Sequence, residues 1–224
     1  MNGFDTNRTS TFTKRISLGG IALILAGLTL IPQGILTVNV PSAPEQNLEF
    51  VTGANLSNYR LAMMLIGISL ALFILGVFAL YAYLSRTKQE RVAFAGLIVT
   101  VGFLGLFLPL IGFGAYVVPA IGSLVAQGRV EMVAVMEQIS REPFIVVPFF
   151  AGILWNIGNL LMGIAIWRSG TLWKWGGLLF MIYGLIGIPG FLDVKVLQIA
   201  STILGGLAQI VVGVSLRRSV AIGK

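Results

Sequence analysis

Residues 61–84, LAMMLIGISLALFILGVFALYAYL, are 24 consecutive positions without a charged side chain. A helix of about 20 apolar residues, rising about 1.5 Å per residue, matches the roughly 30 Å of a bilayer's hydrocarbon core. Backbone polar groups find no water there, so an unpaired run of this kind folds as a helix. The chain holds six such runs, at 16–37, 61–84, 92–111, 144–167, 172–192 and 196–216. Composition agrees: 57% of the 224 residues are hydrophobic and 10% charged, against about 45–50% and 25% in soluble domains. Too little polar surface remains to cover a water-facing globule. The expected fold class is an all-α integral membrane protein, a six-transmembrane-helix bundle. Residues 1–15 and 217–224 are read as tails and 16–216 as the transmembrane domain.

The bases set the threading. Arg8, Lys14 and Arg15 precede the first run; Arg86, Lys88 and Arg91 lie between the second and third; Arg168 and Lys174 between the fourth and fifth; Arg217, Arg218 and Lys224 after the sixth. These alternate segments hold eleven of the fifteen Lys and Arg residues, so the positive-inside rule places both termini in the cytoplasm. Most of the acids fall on the other side, at Glu45, Glu49, Glu131, Glu137, Glu142 and Asp193. Tyr81, Tyr83, Trp167, Trp173 and Trp175 mark inner ends and Tyr59 an outer one, the depth amphipathic rings prefer. Trp155, deep in the fourth run, is the exception. The net charge of +7 therefore reflects membrane orientation rather than nucleic-acid binding. The first run exceeds the 7–15 apolar residues of a cleavable signal, and Pro44 follows its only candidate cleavage site, so it is read as retained.

Two outer segments are longer than turns. Residues 38–59, with Pro41 and Pro44, read as a polar loop. The stretch 92–126 is too long for one span, and Pro109, Gly112 and Gly114 predict that the third helix breaks there. Residues 129–142 then place Val130, Val133, Met136 and Ile139 three apart against Glu131, Glu137, Gln138 and Arg141. That is an amphipathic outer segment between the third and fourth spans, read as a connector lying over the bundle rather than as a lid. A weak internal repeat also shows: 75–109 and 161–190 each read as a helix end, a basic turn, a Gly-rich helix and a proline.

The polar residues inside the spans are the candidate functional residues. Gly152, Asn156, Asn159 and Gly163, spaced 4, 3 and 4, share one helix stripe. An unpaired amide in hydrocarbon costs several kcal/mol, so this stripe faces protein. Comparable stripes run along the first helix (Ala22, Ala26, Thr29, Gln33, Thr37), the third (Gly102, Gly105, Pro109, Gly112), the fifth (Gly177, Gly184, Gly187, beside Tyr183) and the sixth (Gln198, Ser201, Gly205, Gln209). Small residues let backbones approach and amides bond across the contact. Gly152, Gly163, Ala22, Ala26, Ser201 and Gly205 are thus expected to pack helices. The amides are expected to act chiefly as interhelical glue. The alternative is a polar cavity near the midplane lined by Asn156, Asn159, Gln209, Gln33 and Tyr183, holding a small neutral or lipophilic ligand.

The chain has no cysteine or histidine. That removes thiolate nucleophiles, disulfides and the usual zinc and copper ligands, along with the commonest general base. No carboxylate pair lies inside a span, and no phosphate-binding motif is present. The reading is a non-enzyme with no cofactor and no metal, partnered by the bilayer and by other membrane subunits or itself.

The stretch GIAIWRSGTLWKWGGLLF, 163–180, resembles a hairpin that recurs in small multi-pass bacterial membrane proteins of unknown function. In those a helix ends in Trp-Arg-Ser-Gly, turns at Leu-Pro-x-Trp and re-enters through Gly and Leu; here Trp173 stands where they have proline. The resemblance covers about twenty residues and implies a bacterial cytoplasmic membrane and a bundle of six or seven helices. It transfers no catalytic residue. Ala22 and Ala26 are similar to the AxxxA patch by which the substrate-binding subunits of energy-coupling vitamin carriers dock a partner, but the polar vitamin-binding loops of those proteins are not evident. The leading functional expectation is an accessory or scaffold subunit of a membrane complex. The runner-up is a carrier or binding subunit for a small neutral or lipophilic ligand.

Overall fold

In a computed structural model the described residues, 3–37, 47–55, 57–141, 146–186 and 195–222, are helical apart from short turns. The helices are α1 (Gly3–Thr37), α2 (Asn47–Ala54), α3 (Ser57–Leu84), α4 (Glu90–Gly112), α5 (Val118–Ala126), α6 (Met132–Arg141), α7 (Val146–Ser169), α8 (Lys174–Ile186) and α9 (Lys195–Ile222). Five stretches are long and apolar enough to cross a membrane: Thr11–Thr37, Ser57–Leu84, Glu90–Ala126, Phe150–Ser169 and Val196–Ala221. Helix α8 is apolar but shows only 13 residues, about 20 Å. The rest of the expected 172–192 span, with Gly187 and Pro189, lies outside the described residues. So does the Pro41–Pro44 stretch.

Leu18, Met64, Leu75, Ile98, Leu185 and Val196 are all more than half exposed. An apolar surface on that scale is untenable in water and ordinary in lipid. The chain is an all-helical membrane protein.

Helices α1, α3, α4, α7, α8 and α9 pack as a closed ring in chain order, α9 returning to α1. Each neighbouring pair is antiparallel. Gly20 faces Gly213 and Gly27 faces Gly206 between α1 and α9, and Gly96 and Thr100 face Met162 and Gly158 between α4 and α7. Between α7 and α8 the backbones also meet directly. A β-carbon on Gly163 would stand 2.7 Å from the Gly177 carbonyl oxygen, and one on Gly177 would stand 2.7 Å from that of Gly163. Only glycine lets the two backbones meet there.

Four expectations need correction. Helix α1 begins at Gly3, so the stretch read as a tail is largely helical; no glycine or proline interrupts residues 4–15, and extending an existing helix is cheap. The described part of the 38–59 segment holds α2 and the start of α3. The third helix does not break after Pro109. Its axis continues through a π-helical turn, Phe113–Val117, into α5. Proline removes one N–H and crowds the turn before it, and a wide turn absorbs the misfit without ending the helix. Lastly, the stripe Gly102, Gly105, Pro109 and Gly112 faces outward: the first three are exposed, and a β-carbon on Gly105 or Gly112 would meet nothing within 4 Å.

The amphipathic segment is α6. With α2 and α5 it builds a second small core around Val51, Ala54, Tyr59, Ile121 and Met136. This cap sits at the end of the bundle away from the basic turns, in contact with the start of α3.

The repeat is stronger in three dimensions than in sequence, and it has a third copy. Helices α1, α4 and α8 run in one direction. Gly19, Gly96 and Gly176 each stand thirteen residues before a proline, Pro32, Pro109 and Pro189. Counting from those glycines, the first, second, fifth, eighth and ninth positions are buried in all three helices. Helices α3, α7 and α9 run the other way and share a pattern at the basic end. Arg86-Thr87, Arg168-Ser169 and Arg218-Ser219 follow buried Leu84, Ile166 and Leu216. In each, the hydroxyl donates to the carbonyl three residues back, at 2.7, 2.8 and 2.8 Å. The ring is thus three copies of one two-helix pattern: α3–α4, α7–α8 and the non-consecutive pair α9–α1.

Candidate functional site

The centre of the ring is built on Trp155 of α7. Its ring centroid lies 4.5 Å from Phe103 of α4, 5.1 Å from Phe73 of α3 and 5.9 Å from Tyr183 of α8. Phe107 stacks on Phe103 at 4.9 Å. The Trp155 Nε1–H donates to the Tyr183 hydroxyl at 3.1 Å, so the one polar edge of the indole is satisfied. Tyr183 lies flat against Gly205 of α9, where a β-carbon would stand 2.5 Å from Cζ.

The repeat explains this arrangement. Phe73 and Trp155 occupy equivalent places on α3 and α7, and Gly205 holds that place on α9. Phe103 and Tyr183 are equivalent on α4 and α8, and Ala26 holds that place on α1. Two copies bring large rings and the third brings the smallest residues. A close-packed interior requires that trade of volume.

The candidate amides sit beside and below this plug. Asn156, Asn159 and Gln209 are buried, at 4%, 2% and 2% exposure. Asn159 Nδ2 donates to the Trp155 carbonyl at 2.7 Å, along its own helix. Asn156 packs its backbone on α8, where a β-carbon on Gly184 would lie 2.7 Å from the Asn156 carbonyl oxygen. Its side-chain Oδ1 and the Oε1 of Gln209 are buried without a hydrogen-bond donor. Asn159 and Gln209 fall at equivalent places on α7 and α9, one turn toward the basic end from Trp155 and Gly205. Gln33 is apart from the group. It is half-buried near the far end of α1, and its Nε2 donates to Thr37 of the same helix at 3.5 Å.

The packing candidates divide. Gly163 and Gly205 take the close contacts described. Ala22 and Ala26 are buried, and the Ala26 carbonyl accepts from Ser69 Oγ of α3 at 2.9 Å. Gly152 and Ser201 are half-buried.

The amide bonds seen here run along single helices. Bonds between described residues that do cross include those from Ser69, from Trp155 to Tyr183, and from the Trp173 N–H to Ser215 Oγ of α9 at 2.8 Å. Sequence reasoning passes over Ser215, Phe73 and Phe103, and over the heptad-spaced Gly20, Gly27 and Gly34 that line the α9 seam. The glycines are the findable ones, since a seven-residue spacing keeps a residue on one seam of a helix pair.

Chemically, the centre offers two acceptors that lack donors, one phenol and an apolar wall. It holds no nucleophile with a base beside it. An unpaired buried carbonyl costs about 1–3 kcal/mol, which a water or a donor-bearing ligand would recover. No protein-family model, curated protein or solved structure matches the chain.

Proposed function

We propose that the chain crosses a bacterial cytoplasmic membrane six times, with both termini in the cytoplasm, and serves as a non-catalytic accessory or scaffold subunit of a membrane complex. The observation that carries this reading is the cluster of packed aromatic rings between the helices. A carrier binds near the midplane in a space that opens alternately to either side. Here four rings from four helices meet at that depth, and glycine contacts draw the surrounding backbones together. Such a bundle suits holding a shape against partners better than moving a solute. Six crossings are favoured because α8 lies between α7 and α9 and its apolar sequence continues to residue 192. Native mass spectrometry on the protein extracted from its own membrane tests the proposal. Added protein mass beyond the 24.0 kDa chain is expected. A lone chain that turns over a substrate overturns it.

The two orphan carbonyls favour a second reading, a binding subunit for a small neutral or lipophilic ligand that donates hydrogen bonds. In that case Asn156→Leu abolishes ligand retention while the protein remains folded and monodisperse. Retention equal to wild type rejects the reading.

A further inference from the structure

The basic end of the α9–α1 pair contains a cleft of about 380 Å³. Lys14, Thr13 and Ser17 line it from α1 and Arg217 and Arg218 from α9, with Val214 in its apolar wall. In the other two copies of the repeat a short turn joins the two helices: residues 85–89 join α3 to α4, and residues 170–173 join α7 to α8. Helices α9 and α1 are not consecutive, so no short turn joins them and the space stays open.

Its chemistry is one-sided. Three basic and two hydroxyl-bearing residues line a space whose described lining includes no acid. Both arginines are exposed, and each makes one packing contact. A β-carbon on Gly20 would stand 2.6 Å from Arg217 Cγ, so the Arg217 stem lies over a residue without a side chain. The Arg218 guanidinium sits 4.9 Å from the centroid of the Trp173 ring. Planar guanidiniums suit a tetrahedral oxyanion with several acceptors. Leu18, beside Ser17, is 65% exposed, so the lipid-facing surface begins at the cleft's edge. Basic pockets between helices at that depth meet phospholipid headgroups.

We propose that this cleft binds a phosphate group, supplied in the membrane by an anionic phospholipid. The test uses full-length, delipidated protein and native mass spectrometry, titrated with phosphatidylglycerol and separately with phosphatidylcholine. Inorganic phosphate, added at matched ionic strength against chloride, separates lipid-borne from free phosphate. Wild type is expected to prefer phosphatidylglycerol about tenfold. The Lys14→Gln, Arg217→Gln, Arg218→Gln triple variant should lose that preference. Arg168→Gln with Lys174→Gln, which removes charge at the corresponding place on α7–α8, should change it less than about twofold. If the triple variant does not fold, Lys14→Gln with Arg217→Gln keeps the Arg218–Trp173 contact and should still lose most of the preference. Displacement of phosphatidylglycerol by millimolar phosphate supports the same site, filled from solution. An unchanged preference in the cleft variants, or an equal loss in the α7–α8 variant, overturns the proposal.

Discussion

Asn156 and Asn159 lie three residues apart on one helix, yet their surroundings differ. Asn159 satisfies itself on the Trp155 carbonyl, whereas the Asn156 Oδ1 finds no donor. Asn156→Leu should therefore leave the stability of ligand-free protein within about 1 kcal/mol of wild type, or raise it, since an apolar group of similar shape replaces an unpaired one. Thermal unfolding in detergent reads this; a loss of several kcal/mol would show that the amide is interhelical glue after all. Gly205→Val drives a branched side chain into the Tyr183 ring and should cost about 1–3 kcal/mol by the same assay. Tyr183→Phe strands the Trp155 N–H and should cost about 0.6 kcal/mol, the average for an interhelical hydrogen bond in a membrane protein. That the amides are buried is legible in the sequence, because hydrocarbon rejects them and their spacing puts them on one stripe. Their partners are not legible, because a side-chain rotamer decides between the helix's own carbonyl and a neighbour. Trp155 is marked by its odd depth. Its ring of partners on three other helices is a tertiary fact.

At the scale of helices, glycine spacing is ambiguous and the structure separates its two meanings. Gly163 and Gly177 meet backbone to backbone, while Gly105 and Gly112 meet open space. Gly177→Ala should push α8 off α7 and destabilise the bundle by about 1–3 kcal/mol. Gly105→Ala should be neutral or stabilising by about 0.5–1 kcal/mol, since alanine is the better helix former. Equal effects at the two positions, read by thermal unfolding, would contradict the seam assignment. A stripe of glycines looks the same in sequence whether it faces a helix or lipid, because both surroundings are apolar and only the phase relative to the core distinguishes them. The spans themselves are legible: α3, α4, α7 and α9 begin and end within a few residues of their apolar runs, apart from α9's extension to Ile222. The ends of α4 are harder. Proline normally stops a helix, and the π-turn at Phe113–Val117 that carries this one onward has no signature in composition.

As a whole, the molecule is a ring in which one pattern occurs three times and the third copy joins the two ends of the chain. Linear comparison finds the first two copies, at 75–109 and 161–190, because each is continuous. It misses the third because α9 precedes α1 in the pattern and follows it in the chain. The repeat predicts which ends share a membrane face: the ends of α3, α7 and α9 with the starts of α1, α4 and α8. It therefore requires α8, which has the fewest described residues of the six, to cross. The chain has no cysteine, so single cysteines report without background, and their labelling in intact cells by a membrane-impermeant maleimide is the most direct test. Cysteines at Asn55 and Gln127, by the cap, should label from outside. Cysteines at Thr87, Thr171 and Ser219 should label only after the membrane is permeabilised. Labelling of Ser219 from outside, with Thr87 and Thr171 still protected, would mean that α8 does not span and that the three-copy ring is wrong.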